Sequence, residues 1–349
     1  PTLFSDDMHV LDPKKNAAFE FCEAELYLAY KEGKLVGRVA AIINHKANKQ
    51  WDTKAVRFGW IDFIDDIEVS RALLDAVGNY GKAHGMDNII GPLGFTDMDP
   101  EGMLTDGFDQ LGTMATLYNY PYYPRHMQEL GGWEKDNDYV EYKLIVPKEM
   151  PEKYMKVAQM IEKRYDLHVR AMTRREIFKD GYGHKVFEVI NETFKHLYGY
   201  SELSDRQIDQ YVKMYLPFVD LNWVPIVEDW SVTPHKLVGV GITIPSLSRA
   251  LQKLHRGRLW PFGWWDMLRV LKFHKTKIVD LLLIGVLPEY RVKGANALLF
   301  SHLIPIYQKY GIEWGETHVE METNGKVQSQ WQYLETVQHK RRRCYKKLI

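Results

Sequence analysis

The chain has 349 residues, 45% of them hydrophobic and 26% charged, and its 46 Lys and Arg residues equal its 46 Asp and Glu residues. This length favours two domains, and the balanced charge argues against a nucleic-acid partner. Cys22 and Cys344 lie far apart in the sequence, which excludes a disulfide framework and a cysteine metal site and makes the cytoplasm the expected location. No apolar run approaches the length of a membrane span.

The first half predicts two strands, a helix and a further strand. Residues 34–37 (Lys-Leu-Val-Gly) predict a turn before a core strand at 38–43, and residues 56–61 predict the next strand. Apolar residues then recur at helical spacing, and Gly85 is expected to end this helix before a strand at 88–90. The apolar positions of the helix are Val69, Leu73, Val77, Tyr80 and Ala83.

The second half repeats this order. Pro147 and Pro151 bracket a polar step that predicts the junction, so the predicted domains are residues 1–148 and 149–349. A second Lys-Leu-Val-Gly at 236–239 precedes a strand at 240–244, followed by a strand at 281–287, a helix at 295–310 and a strand-like segment at 314–322. The repeated order predicts two copies of one unit, and the second copy carries an insertion at about 246–277.

The joint between the strand at 281–287 and the helix at 295–310 predicts an anion site. A strand that turns into a helix at a glycine places unpaired N–H groups and the positive end of the helix at one point. Gly294 permits close approach of the backbone, and Arg291 and Lys293 add positive charge.

In this context, residues 291–296 resemble the pyrophosphate loop of the GCN5-related N-acetyltransferase (GNAT) superfamily, Arg/Gln-x-x-Gly-x-Gly/Ala. Arg291, Gly294 and Ala295 fit, and Asn296 stands where Gly or Ala is usual. The resemblance implies an α/β fold (an α+β mixed sheet) of two tandem GNAT-like units. It also implies that acetyl-CoA, as a co-substrate, is bound by Leu283, Ile284, Gly285, Val286, Arg291, Val292, Lys293, Gly294, Ala295 and Asn296, without a metal.

The first unit is expected to be a degenerate copy. At the place equivalent to 291–296 it carries Ile64-Asp65-Asp66-Ile67-Glu68. Carboxylates at a phosphate site repel the ligand, so only the second unit is expected to bind the co-substrate.

A long segment rich in Gly, Pro, Asp and Tyr follows at 91–133. It resembles a group of bacterial proteins of mostly unassigned substrate that carry Gly-Pro…Gly-Phe-Asp…Tyr-Asn-x-Pro-Tyr-Tyr before an acetyltransferase-like unit, and this resemblance covers nearly the whole chain. The segment is either a functional loop or a structural crossing. In the functional interpretation Tyr118, Asn119 and Tyr122 bind the acceptor together with His318.

The segment Glu316–Glu322 supplies the candidate catalytic groups. Strand alternation places Glu316, His318, Glu320 and Glu322 on one face. The resemblance implies a carboxylate beside the thioester that accepts the proton of the attacking amine, and Glu322 matches the family better than Glu320. Family members protonate the leaving thiolate with a tyrosine, but Trp331 occupies that position. Tyr333 is the nearest substitute, and the alternative interpretation of the segment is a solvated sheet face.

These patterns predict an N-acyltransferase that transfers an acetyl group from acetyl-CoA to the primary amine of a small molecule or peptide. Two alternatives remain: an aminoacyl-tRNA-dependent peptidyltransferase of the cell-wall type and a non-catalytic CoA-binding protein. The aromatic and basic residues of 249–269 predict a lid, or else a surface that enters a membrane interface or stacks on a ligand. A homodimer is possible, and no membrane span is expected.

Overall fold

The computed structural model describes residues 2–150, 152–325 and 334–349, which form one mixed sheet with helices on its faces. The strands run in the order β1-β2-β3-β4-β13-β6-β11-β10-β9-β8-β7, with β5 beside β13 and β12 beside β6. Their bounds are β1 Cys22–Lys31, β2 Lys34–Asn44, β3 Ala55–Phe63, β4 Asn88–Gly91, β5 Met103–Asp106, β6 Glu134–Ile145, β7 Leu167–Ala171, β8 Pro225–Asp229, β9 Lys236–Pro245, β10 Ile278–Val286, β11 Trp314–Thr317, β12 Glu320–Met321 and β13 Thr336–Leu348.

The helices connect and cover these strands. They are α1 Phe4–Val10, α2 His45–Gln50, α3 Ile67–Ala83, α4 Tyr122–Leu130, α5 Glu152–Tyr165, α6 Arg174–Lys179, α7 Tyr182–Phe194, α8 Asp205–Tyr215, α9 Ser248–Gln252, α10 Gly263–Phe273, α11 Pro288–Arg291 and α12 Ala295–Lys309. Short 3-10 turns occur at Ala17–Glu20, Leu216–Phe218, Leu221–Trp223 and His255–Gly257. Within the described ranges, no helix is long and apolar enough to cross a membrane.

The first unit begins with the hairpin β1–β2. Lys31 pairs with Lys34 across the two-residue turn Glu32-Gly33, whose φ angles are both positive, as a tight hairpin turn requires. The predicted helix is α3, and Gly85 at φ +74° ends it while the Met86 N–H bonds back to the Gly81 carbonyl. The buried side of α3 packs on β2 and β3, which gives this half its own core.

The second unit repeats these elements as β8, β9, β10, α12 and β11. The predicted strand at 281–287 is β10, and the predicted helix at 295–310 is α12. Leu298, Leu299 and Leu303 on α12 are buried against the sheet. The insertion contains α9 and α10, which form a small core around Leu251, Leu254 and Val270. The predicted mixed α/β fold with two similar units is confirmed.

The two units share the centre of the sheet by exchanging their last strands. β13, from the end of the chain, pairs with β4 of the first unit, whereas β6 pairs with β11 of the second. β6 and β13 also pair with each other from Thr336 to Lys346. Residue 148, the predicted boundary, lies between β6 and α5, and the sheet continues across both halves.

Ion pairs fill the interior of this shared region. Glu141 on β6 accepts from Arg342 at 2.7 Å and pairs with Lys340 at 2.6 Å, and Lys340 also contacts Glu316 on β11 at 2.9 Å. All four side chains are buried. The two cations hold the pKa of Glu141 down to about 2 despite its burial. The central strands are therefore joined by charges that have no access to water.

Candidate functional site

The site begins where two parallel strands separate. β10 and β11 pair from Ile278 with Trp314 to Leu281 with Thr317, and the His318 N–H then donates to the Leu281 carbonyl at 3.0 Å. Beyond this point β10 continues beside β9, while β12 pairs with Val140 and Tyr139 of β6. Because the neighbours of the two strands differ, a gap opens between β10 and β12.

The gap is a cavity of about 460 Å³. Its apolar walls come from β10, α12, the end of α7 and β12, and include Leu281, Leu282, Leu283, Ile284, Phe194, Phe300, Leu303, Val319 and Met321. Polar side chains enter it from both units, namely Asp97, Glu101, Tyr139, His196, Tyr198, Arg291, Asn296, His318 and Glu320. A site of this size, mostly apolar with a few polar groups, is typical of small-molecule binding.

The turn from β10 to α12 forms one wall of the cavity. Gly294 has φ +83° and stands at the N-cap of α12, where no described side chain accepts a hydrogen bond from the first turn. Asn296, in that first turn, has a buried Oδ1 atom without a hydrogen-bond partner in the described part of the chain. Arg291 lines the same cavity, and its Nε donates to the Val286 carbonyl at 2.6 Å. A helix that starts at a glycine beside a guanidinium fits the diphosphate of CoA.

Three residues of the predicted pyrophosphate loop, Val292, Lys293 and Ala295, do not line the cavity. Val292 is 88% exposed to solvent, and Ala295 is buried in the core under α12. The Lys293 ammonium lies 4.3 Å from the centre of the Tyr290 ring, a cation–π contact that holds it on the protein surface. The side chains of Val292 and Ala295 therefore do not contribute to the cavity, and their predicted contact with the co-substrate stays a prediction for their backbone.

Residues 283–286 contribute mainly their backbone. Their ladder with β9 occupies one edge of β10, and the pairing with β11 ends at Leu281, so their other edge has no described strand beside it. Leu283, Ile284 and Val286 line the cavity, but Gly285 faces Thr193 of α7, whose Oγ1 would lie 2.7 Å from an added Cβ. The open edge agrees with the predicted contact to an extended pantetheine arm.

His318 and Glu320 both line the cavity. The His318 Nδ1 accepts from the Val319 N–H at 2.6 Å, so the neutral ring carries its proton on Nε2. Burial, which outweighs the nearby Glu141, lowers the pKa of His318 to about 4. His318 is therefore a neutral N–H donor near pH 7. Glu320 is 9% exposed and is the described carboxyl of this strand segment that faces the cavity.

Glu322 does not fit the predicted catalytic role. Its carboxylate pairs with Lys135 at 2.7 Å and Arg341 at 2.6 Å, and these hydrogen bonds, led by that of Lys135, lower its pKa. It lies outside the cavity wall, because β11 ends at Thr317 and the alternation from Glu316 to Glu322 is interrupted before β12 begins. Tyr333, the predicted proton donor, lies outside the described residues.

The three residues predicted to bind the acceptor in the first half have structural contacts instead. Asn119 is buried, and its side chain bonds the Leu104 N–H at 2.6 Å and the Leu104 carbonyl at 3.0 Å, as a neighbouring strand would. The Tyr122 hydroxyl donates to the Phe63 carbonyl at 2.6 Å, and Tyr118 is half exposed beside Tyr120. None of the three lines the cavity, so this part of the segment is a structural crossing.

Other residues of the same segment reach the cavity and were not predicted. Asp97 and Glu101 line it together with Tyr139 of β6. Burial raises the pKa of Asp97 to about 8 and the pKa of Glu101 well above its usual range, with a further increase from the charge of the neighbouring carboxylate. The sequence signal that could have identified these two residues is the presence of carboxylates in a segment otherwise rich in Gly and Pro.

The equivalent joint of the first unit is closed to a ligand. Asp66 caps α3 by accepting from the Glu68 N–H at 3.0 Å, and it pairs with Lys31 at 2.6 Å. Asp65 pairs with Arg125 and accepts from His126. The gap between β3 and β4 is also filled, because a Cβ added to Gly59 would lie 2.5 Å from the Leu93 carbonyl oxygen.

This geometry has counterparts among solved structures, although no family model matches the sequence. A tandem GNAT protein from the clavulanic acid biosynthesis pathway aligns over 94% of this chain and 83% of its own, with a TM-score of 0.51 and 11% identity. This chain has a tandem GNAT fold. A GCN5-related glucosamine N-acetyltransferase region of a fungal multi-domain GH3 β-N-acetylglucosaminidase aligns over 93% of this chain and 33% of that larger one, with a TM-score of 0.52 and 13% identity.

Two curated proteins are similar in sequence. The bacterial ceramide synthase of Caulobacter vibrioides (strain NA1000 / CB15N) is 24% identical over 335 residues, which cover 89% of this chain and 82% of the relative. Protein YghO of Escherichia coli (strain K12) is 24% identical over 365 residues, which cover 100% of this chain and 90% of the relative. The similarity therefore extends over both units of the tandem GNAT fold.

Proposed function

We propose that the protein is an acyl-CoA-dependent N-acyltransferase whose donor binds the second unit and whose acceptor is a primary amine. The observation that carries this proposal is the divergence of β10 and β12 into a cavity that reaches the start of α12, where the N-cap residue Gly294 has no side chain to cap the helix. The helix start, Arg291 and Asn296 suit the diphosphate. The open edge of residues 283–286 suits the pantetheine arm, and the gap between the strands suits the thioester.

Glu320 and His318 are the groups proposed to act on the reacting atoms. The amine nitrogen attacks the thioester carbonyl carbon, the new C–N bond replaces the C–S bond, and the sulfur leaves as CoA thiolate. Glu320 accepts the proton that the nitrogen loses. The Nε2–H of His318, which is neutral near pH 7, donates a hydrogen bond to the oxyanion or the leaving sulfur.

The acyl group is proposed to be longer than acetyl, and the acceptor to be a long-chain amino alcohol. A ceramide is the fatty amide of such an alcohol, and the ceramide synthase relative aligns along both units. The apolar walls formed by Leu281, Leu283, Phe300 and Met321 are consistent with hydrocarbon ligands. Acetyl transfer to a polar amine is the second candidate, favoured by the diphosphate site alone.

Acyl transfer by the purified chain tests the proposal. Acyl-CoA donors from two to sixteen carbons are each incubated with a long-chain amino alcohol, a polar diamine and a peptide amine, and the products are identified by mass spectrometry. An amide formed from a long-chain donor and the amino alcohol is the expected result. Binding of CoA without any amide would leave a non-catalytic protein, and transfer only from aminoacyl-tRNA would favour the peptidyltransferase alternative.

A further inference from the structure

Two carboxyl groups of the first unit, Asp97 and Glu101, face the cavity of the second unit. Asp97 and Glu101 form no ion pair with a described residue, although Glu101 is only 7% exposed. The Asp97 Oδ1 atom is buried and has no hydrogen-bond partner among the described residues. The buried Tyr139 hydroxyl lies close enough to Glu101 for an interaction that partly offsets the rise in the pKa of that carboxyl. Tyr139 is 3% exposed. An unpaired buried polar atom is costly, so the Asp97 Oδ1 atom points to a ligand.

The chemistry of these groups selects a cation. The titratable and charged groups around Asp97 and Glu101 are Arg57 of β3, Asp99 of the same segment, Tyr139 of β6, Tyr200, and Cys344 of β13. The Arg57 guanidinium is occupied by the carbonyls of Gly94 and Gly199, at 3.1 and 2.9 Å. A primary ammonium has three N–H donors, which two carboxylates and one hydroxyl oxygen can accept.

We propose that Asp97, Glu101 and Tyr139 form the binding site for the ammonium group of the acceptor, so that the degenerate unit binds one substrate while the other unit binds the acyl donor. This inference rests on the proposed function, since it assigns the acceptor side of the same cavity. When the ammonium arrives, a carboxyl that was protonated releases its proton to solvent, because the positive charge replaces it. Before the attack the ammonium returns one proton to a carboxylate of this site, and the neutral amine then gives its second proton to Glu320 as the C–N bond forms.

Calorimetry with octylamine and 1-octanol tests this site without requiring turnover. We expect octylamine to bind the wild-type chain at least tenfold more tightly than 1-octanol, and to release protons when titrated near pH 7 in buffers of different ionisation enthalpy. In the variant Asp97→Asn/Glu101→Gln the preference and the proton release should disappear while CoA affinity stays unchanged. The control is Asp75→Asn, an exposed carboxylate of α3.

The outcomes separate the two hypotheses. Equal affinity for octylamine and 1-octanol, or an unaltered preference in a double variant that melts like the wild type, overturns the ammonium site even if acyl transfer is observed. Selective octylamine binding without acyl transfer to any amine supports the ammonium site and contradicts the proposed function. Single Asn and Gln variants serve if the double variant does not fold.

A second, independent feature is the exposed face of the insertion at 246–277, here called the aromatic-basic face. Trp260 and Phe262 are each 81% exposed, and α10 adds the exposed side chains of Trp264, Trp265 and Phe273. The inner side of the same helix is already packed, because Val270 lies in a core with Leu251 and Leu254. Large exposed apolar patches of this kind mark interaction surfaces.

The charge around these aromatic residues identifies the partner. The insertion has eight Lys or Arg residues against one acidic residue, Asp266, whereas the whole chain is balanced. All eight are exposed, namely Arg249, Lys253, Arg256, Arg258, Arg269, Lys272, Lys275 and Lys277. Lys253 pairs with Asp266 and Lys277 with Glu313, and the other six form no ion pair with a described residue. Exposed aromatic side chains in a segment with an excess of cations are the composition of segments that lie in the headgroup region of anionic bilayers.

We infer that the aromatic-basic face binds the surface of a bilayer that contains anionic lipids, with Trp260 and Phe262 inserted at the headgroup level. Such peripheral binding needs no spanning helix. It places the chain at a lipid surface independently of what the cavity binds.

Vesicle co-sedimentation of the full chain tests this inference. We expect binding to phosphatidylglycerol–phosphatidylcholine vesicles at low salt and weak binding to phosphatidylcholine alone. Trp260→Ala/Phe262→Ala and Arg269→Glu/Lys272→Glu should each reduce partitioning at least tenfold. Phe218→Ala, which removes a 70% exposed aromatic residue elsewhere, should not.

Two results would overturn the assignment to a bilayer. One is partitioning that neither double variant changes. The other is a dimer in sedimentation velocity that Trp260→Ala/Phe262→Ala dissociates while vesicle binding is absent, which would assign the face to a second copy of the chain.

Discussion

The two strand–turn–helix joints of this protein share a topology and differ in chemistry. In the second unit, α12 begins at Gly294 with no described side chain capping its first turn, and Arg291 stands beside it. In the first unit, the Asp66 carboxylate occupies the start of α3, and Lys31 neutralises it. The positive end of each helix is satisfied, in one case by the chain itself and in the other, we propose, by a bound diphosphate.

The gaps beside the two joints differ in the same way. In the second unit, β10 and β12 have different neighbours and leave a cavity, whereas in the first unit the backbone of Leu93 lies against β3. Two features of the first unit therefore distinguish it from the second. A carboxylate of the chain itself occupies the start of the helix, and backbone fills the gap beside it. The first unit still forms part of the cavity wall, since its Asp97 and Glu101 face the cavity of the second.

The largest effect is expected from Glu320→Gln, which keeps the shape of the side chain and removes the proton acceptor. Turnover should fall by about a hundredfold to ten-thousandfold, the usual range for general-base catalysis. CoA affinity should hold in calorimetry. The matched control is Glu322→Gln, two residues away but paired with Lys135 and Arg341. Should Glu322→Gln abolish turnover and Glu320→Gln leave it intact, the roles would be reversed.

Asp97→Asn should change how stability depends on pH, which isolates the contribution of the first unit to the cavity. A folded pKa of about 8, far above the usual value for aspartate, means that the folded state keeps a proton that the unfolded state has lost. The contribution of Asp97 to the free energy of unfolding is fully present below about pH 4 and is lost as the pH rises towards 8.

Urea unfolding at pH 6, 7 and 8 measures this slope. The free energy of unfolding should decline with pH more steeply in the wild type than in Asp97→Asn, by up to about 1.4 kcal/mol per pH unit. Asp75→Asn should show the same decline as the wild type. Parallel pH dependences for Asp97→Asn and the wild type would show that Asp97 is ionised throughout.

Asn296→Asp should make the second joint resemble the first. A carboxylate in the first turn of α12 repels the diphosphate, so CoA affinity should fall at least tenfold, about 1.4 kcal/mol or more. Asn296→Ala, which removes the amide without adding charge, is the control and should have a smaller effect. The reverse change, Asp65→Asn/Asp66→Asn, should not create a second CoA site, because backbone still fills the first gap. A stoichiometry of two for that variant would show that charge alone separates the units.

Gly294→Ala should have the smallest effect, on stability more than on affinity. Its φ of +83° costs a non-glycine residue about 1–2 kcal/mol, and the added Cβ would lie 2.8 Å from the Ile161 Cδ1 atom of α5. Thermal unfolding should show this loss. The comparison is the double variant Gly294→Ala/Ile161→Val. Removing the Ile161 Cδ1 atom relieves its contact with the added Cβ, so only the cost of the positive φ should remain.

The sequence predicted the elements that depend on local signals. The helix ending at Gly85, the repeat of Lys-Leu-Val-Gly before β2 and β9, and the insertion before β10 were recognisable because spacing and turn residues lie within one window. The joint at Gly294 was predicted for the same reason.

The site residues contributed by distant segments could not be predicted in this way. Alternation treated Glu320 and Glu322 as equivalent, but the strand is interrupted after Thr317, and Lys135 and Arg341 reach Glu322 from β6 and β13. Asp97 faces the cavity because of the path of its segment, and Asn119 was misassigned because its role as a substitute strand neighbour appears only in three dimensions.

The exchange of β6 and β13 has a consequence for biosynthesis. β6 finds its neighbours β11, β12 and β13 only in the second half, and the free edge of β4 receives β13 from the last residues of the chain. A nascent first half leaving the ribosome therefore has unpaired strand edges until β13 has been synthesised, which favours aggregation or chaperone binding. Dividing the chain near residue 148 would not release two autonomous proteins, but the two fragments produced together should reassemble by exchanging these strands.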